Sequence, residues 1–143
     1  MQGLFFEDLT IGQSAETTKI VGAADVEAFA AVSGDTNPVH LDEAYAQTTP
    51  FQGRIAHGML SGAYISAVLG TKLPGPGAIY LTQSLRFRRP VKIGDPVVTR
   101  VTVQELDERR AHATLTTRCQ VDGKTVVDGE AVVMVPRRNT KAG

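Results

Sequence analysis

The 143-residue chain balances fifteen basic against fifteen acidic residues, with 42% of positions hydrophobic and 21% charged. That neutrality removes any electrostatic reason to expect nucleic acid or an anionic membrane as partner, and the lack of a long apolar run speaks against a membrane span. The length suits a single domain over 1–143, and the lone cysteine, Cys119, excludes an intrachain disulfide and every multi-cysteine metal site.

The opening stretch MQGLFFEDLTIG has no basic region leading into an apolar one, so no secretory signal is read and a cytoplasmic location is expected. Residues 13–21, QSAETTKIV, alternate polar and β-branched side chains and predict a strand. The period then changes. In AADVEAFAAVSG, Val26, Phe29, Ala30 and Ser33 fall at helical spacing, Asp25 and Glu27 favour the first turn, and Gly34 suits the position just past the end. The polar loop DTNPVH follows, and LDEAYAQTT predicts one or two further helical turns opened by Asp42.

FQGRIAHGMLSGAYISAVLGTKLPGPG predicts a helix with no strongly polar face, hence one surrounded by protein, ended by LPGPG. Four long strands are expected after it: AIYLTQSLRFRRP, DPVVTRVTVQEL, RRAHATLTTRCQV and KTVVDGEAVVMVP. Val97, Thr99, Val101 and Val103 alternate inward, as do Ala113 to Val121, and Asp122-Gly123 marks a two-residue hairpin. Cys119 belongs to that alternation and reads as an inward strand residue. The last residues, 137–143, are expected to form a flexible tail.

A long antiparallel sheet and one apolar helix combine naturally when the curved sheet wraps the helix. The predicted class is therefore α+β, of the hot-dog type. A lone sheet leaves edges and one flank uncovered, so a homodimer is expected.

Three groups of residues could carry chemistry. Asp35 and His40 lie five apart in a loop stiffened by Pro38, which pushes Asn37 toward an extended conformation. A fixed carboxylate and imidazole can share a water and move its protons, although Asp, Asn and Pro after a glycine are also ordinary turn residues. His57 and Gly58 enter the apolar helix, where backbone N–H groups without intrahelical partners could hold a carbonyl oxygen; the plain alternative is a histidine bonded in the core. Arg86 and Arg88 share one strand face, with Arg89 on the other. They could meet phosphates of a coenzyme A moiety, or merely form a solvated strand edge. None of the three histidines, His40, His57 and His112, pairs at HExxH spacing, so no metal is expected.

Taken together, SGDTNPVHLDEAYA, then FQGRIAHGML, then IYLTQSLRFRRPVKIGDPV resemble the MaoC-like hydratases, and more narrowly the (R)-specific enoyl-CoA hydratases that feed polyhydroxyalkanoate synthesis. The likeness runs from about residue 5 to residue 136. It implies a hot-dog homodimer that adds water to a trans-2-enoyl-CoA to give the (R)-3-hydroxyacyl-CoA, with no metal or organic redox cofactor. By the same resemblance Asp35 and His40 are the acid–base pair. Gly58 offers its backbone N–H to the thioester oxygen, Ser66 faces the active-site tunnel, and Asn37 holds the loop.

Two other readings compete. A hot-dog thioesterase would place a carboxylate at or on the central helix, where HGMLSGAYISAVLG has none. A silent acyl-CoA-binding module would have no need of an Asp–His pair. Tyr64, Leu69, Tyr80 and Leu85 are candidate pocket liners, and ordinary core residues equally well.

Overall fold

The computed structural model describes residues 2–138. The β-branched alternation after residue 13 forms β1 (Ser14–Ile20), which pairs antiparallel with β4 (Pro96–Asp107). From β4 the chain continues as an antiparallel meander through β5 (His112–Val121) and β6 (Lys124–Met134). Asp122 and Gly123 make the last hairpin, both at positive φ (51° and 77°), the pairing that matches the right-handed twist of flanking strands.

The segment expected as one strand over 78–90 is instead two: β2 (Ile79–Gln83) and β3 (Arg86–Phe87), both paired with β6. Ser84 breaks the run. Its N–H donates to the Glu130 carbonyl and its hydroxyl accepts the Glu130 N–H, each at 2.9 Å. Its carbonyl crowds Gly129, where a Cβ would overlap it. The sheet order is β1-β4-β5-β6-β2, with β3 alongside β6.

The inward alternation holds on the sheet. Val97, Thr99, Val101 and Val103 of β4, and Ala113, Leu115, Thr117 and Cys119 of β5, are all buried. Against them lies α4 (Gly58–Thr71), with Ile65 and Val68 wholly enclosed. Here an expectation needs correction, because α4 is not covered all round. Leu60, Ser61, Tyr64, Ile65, Val68 and Leu69 face the sheet, whereas Met59, Ala63, Ser66 and Ala67 are exposed. One sheet layer can cover only one side of a helix.

The smaller helices bring the polar loop into place. α1 (Ala23–Ser33) ends at Gly34 in the left-handed conformation, φ +79°. The following segment, read as irregular, contains a helical turn, α2 (Pro38–Leu41). Asn37 caps it by accepting the Val39 N–H, and Pro38 occupies the first position, where its missing N–H costs nothing. α3 (Glu43–Gln47) opens at Asp42, which accepts the Tyr45 N–H.

A 3-10 turn over Phe6–Asp8, which the sequence pattern did not announce, receives Arg137 and Arg138. Arg138 donates its N–H to Glu7 at 2.8 Å and pairs through its guanidinium with Asp8, and Arg137 lies over the Phe6 ring. The Arg138 N–H on Glu7, and the Phe5 N–H backed by Arg138 on Asp8, hold both carboxyls below their ordinary values. Of the tail expected over 137–143, Arg137 and Arg138 make these contacts, and 139–143 lies outside the described residues. Among those described, no helix is long and apolar enough to cross a membrane.

Candidate active site

The turn α2 carries His40 to the inside of the molecule, where it is 8% exposed. Its Nδ1 lies 2.8 Å from the Ile55 carbonyl. A carbonyl only accepts, so Nδ1 bears a hydrogen, and in the neutral ring the lone pair is then on Nε2. Arg54 steadies the same turn from outside by donating from Nε to the His40 carbonyl at 2.7 Å.

Asp35 sits on the exposed connection between α1 and α2. Its N–H donates to the Ser33 hydroxyl, and its Oδ1 accepts the Asn37 N–H at 3.2 Å, a local turn that points the carboxylate back toward α2. His57, the N-cap residue of α4, closes the group. It is 2% exposed and donates from Nε2 to the Asp35 carbonyl at 2.9 Å. Its ring stacks on His40 at 3.9 Å with the planes 29° apart, and meets Phe29 at 4.8 Å. One carboxylate oxygen of Asp35 and one nitrogen from each imidazole lie within 4.8 Å of one another.

These residues border a cavity of about 490 Å³, walled by Phe51, Ile55, Phe87, Pro90, Val91 and Val127. That size and apolar lining suit a small ligand. Gly58, at the first turn of α4, lines it too. Its N–H belongs to the set that no helix can satisfy internally, and it sits at the positive end of the helix dipole. A Cβ at 58 would stand 2.6 Å from the Phe87 ring, so a side chain there needs that ring to move. A carboxylate, a basic imidazole nitrogen and a free backbone donor thus share one apolar cavity. Such a set can orient a water, move its protons and stabilise an oxyanion.

Residues 7–125 match the MaoC like domain family. The chain is 57% identical over 134 residues to a protein of Rhodospirillum rubrum named (R)-specific enoyl-CoA hydratase, covering 94% of this chain and 93% of that one. The chain belongs to the MaoC-like family. Among solved structures it superposes on the unliganded R-hydratase of Pseudomonas aeruginosa with a TM-score of 0.91 and 52% identity, spanning 95% of this chain and 88% of the other. It also matches the (R)-hydratase of A. caviae involved in PHA biosynthesis with a TM-score of 0.89 and 51% identity, over 91% and 99% of the two chains. The hot-dog architecture is that of these MaoC-like structures.

Not every residue singled out in this MaoC-like chain comes to the first cavity. Ser66 is eight residues and about 12 Å further along α4. It lines a second cavity with Phe29, Met59, Tyr80, Gln83 and Leu85, and Met59 borders both cavities. Of the candidate liners, Tyr80 and Leu85 belong to that second cavity, while Tyr64 and Leu69 are core. The arginines separate as well. Phe87 borders the first cavity although it is 56% exposed, and on the other sheet face, beside Arg100, Arg118 and Asp128, lies Arg86. It does not line the first cavity. Arg88 borders both faces and is paired with Asp128 at 2.9 Å, whereas Arg89 reaches the first cavity's rim. Phe87 is the main wall residue not singled out from the sequence. Its place between Arg86 and Arg88 in an alternating strand was the available signal.

Proposed function

We propose that this chain is an (R)-specific enoyl-CoA hydratase, adding water across the double bond of a trans-2-enoyl-CoA to form the (R)-3-hydroxyacyl-CoA. The observation that carries the reading is the meeting of Asp35 and His40 within 4.8 Å at a cavity that Gly58 also lines. In this reaction Asp35 accepts one hydrogen bond from a water, while His40 Nε2 takes a proton from it as the oxygen attacks the β-carbon. The double-bond electrons move toward the thioester carbonyl, whose oxygen rests on the Gly58 N–H. The α-carbon then recovers a proton from the same Asp35–His40 pair, so both additions occur on one face and H–OH is balanced across the former double bond. Proton transfer and an oxyanion donor suffice for these steps, so the reading calls for no metal or redox cofactor.

The acyl tail leaves Gly58 past Met59 toward Ser66, and Arg89, with Arg88 beside it, meets the CoA phosphates at the rim. A homodimer is part of the proposal. Met59, Ile79, Tyr80 and Leu81 are large apolar side chains left exposed beside the free edge of β2, and a second copy is the natural cover for them. A cytoplasmic location fits an acyl-CoA substrate, and a polyhydroxyalkanoate precursor fits the (R) product.

Asp35→Asn and His40→Gln, assayed by loss of enoyl absorbance on crotonyl-CoA, should each lower kcat by about 10²- to 10⁴-fold. A folded variant of either kind that turns over like the parent would remove the pair from the mechanism. Thioester hydrolysis is the competing chemistry. The α4 segment GMLSGAYISAVLGT carries no carboxylate, and free thiol released from a saturated acyl-CoA would be the result that favours it.

A further inference from the structure

We propose that His57 is the positioning residue of this site, setting the aim of Asp35 through the Asp35 carbonyl and the plane of His40 through ring contact. The inference rests on the hydration reading above. Asp35 has little else to hold it. It is exposed, and its carboxylate's one hydrogen bond within the described residues is to the Asn37 N–H two positions away. Its backbone is tied at two points, by its N–H to the Ser33 hydroxyl at the end of α1 and by the His57 Nε2–H bond to its carbonyl at 2.9 Å, which reaches across 22 residues from the start of α4. His40 is restrained by the Ile55 carbonyl at one nitrogen and by the face of His57 at 3.9 Å. Because His57 is the N-cap residue and Gly58 the first residue of α4, one side chain ties the acid, the base and the backbone donor to a single rigid element.

His57 also carries a cost that a filler would not. The bond to the Asp35 carbonyl makes Nε2 the donor, which in the neutral ring leaves Nδ1 as an acceptor, and that atom is buried with no hydrogen-bond partner among the described residues. A phenylalanine would fill the same volume against Phe29 and His40 without burying a polar atom. What phenylalanine lacks is the Nε2–H. The hydrogen bond is therefore what the histidine contributes.

Two amides separate that role from packing. Glutamine at 57 reaches about as far as imidazole Nε2 and keeps an N–H for the Asp35 carbonyl, whereas asparagine, one bond shorter, does not. His57→Asn should lower kcat on crotonyl-CoA by about 10- to 100-fold, the scale of a misplaced catalytic group. KM should stay near the parental value, and His57→Gln should restore most of the loss. In an Asp35→Asn background, His57→Asn should cost less than it does in the parent, since the part of its effect that runs through Asp35 is already lost. If His57→Asn does not fold, His57→Phe takes its place as the variant without a donor. A donor-free variant with parental kcat overturns the inference. So does His57→Gln falling as far as His57→Asn at the same melting temperature, or full additivity with Asp35→Asn. The hydration reading fails separately, if Asp35→Asn alone leaves turnover unchanged.

Discussion

His40 can act as a base because of a bond made at its other end. The Ile55 carbonyl takes the Nδ1 hydrogen, and the second nitrogen is left with its lone pair in a mostly apolar cavity. Gly58 shows the same dependence on a neighbour. The Phe87 ring lies against its bare Cα, so Gly58→Ala must push the ring aside or tilt the first turn of α4. We expect that substitution to lower kcat/KM by about 100-fold, comparable to removing one oxyanion donor. Steady-state kinetics on crotonyl-CoA check it, and an unchanged value would show that the amide and the ring do not depend on each other. Cys119 marks the opposite case. Enclosed by Thr99 and the Ser61 carbonyl, with its thiol pushed up by burial, it belongs to the core and not to the chemistry.

Two elements are shaped by where their hydrogen bonds can go. The segment over 78–90 has the composition of one strand, yet Ser84 bonds Glu130 through its N–H and its hydroxyl and the strand divides around it. That arrangement requires Gly129, since the Ser84 carbonyl occupies the space of a side chain there. Gly129→Ala is therefore expected to destabilise the fold by about 1–3 kcal/mol. A thermal melt reads this as roughly 2–4 °C per kcal/mol for a chain of this size. A melting temperature equal to the parent's would mean that β6 shifts without cost. The division matters to the site, because it sets the Phe87 ring against Gly58 at the cavity and Arg86 on the other face of the sheet. α2 is the second case. Its single turn, capped by Asn37 and started by Pro38, converts a run of polar loop residues into a rigid mount for His40.

At the scale of the whole molecule, one sheet of six strands wraps one helix and leaves the helix half clothed. The uncovered strip of α4 continues into the apolar side chains of β2, at the sheet's free edge. If that continuous surface is where two copies meet, Leu81→Asp should yield a species with the mass of one chain by light scattering, while the parent shows two. A parent that elutes as one chain would refute the dimer. Met59 stands on this surface and at the wall between the two cavities, so monomerisation is expected to lower turnover on longer enoyl chains more than on crotonyl-CoA.

Much of this was legible in the order of residues. Alternation along β4 and β5 named the inner face of the sheet, the Asp122-Gly123 pair named its hairpin, and the GD, NP, H and AHGM signatures named the family, because each depends on neighbours within a few positions. Other features depended on residues far apart. The break at Ser84 required Glu130 and Gly129, the exposed side of α4 depended on how much surface a single sheet can cover, and the restraint on Asp35 came from His57, 22 positions away. Sequence periodicity records which face of an element is apolar. Only the packed chain decides what lies against that face, and so which carbonyl receives a histidine's hydrogen.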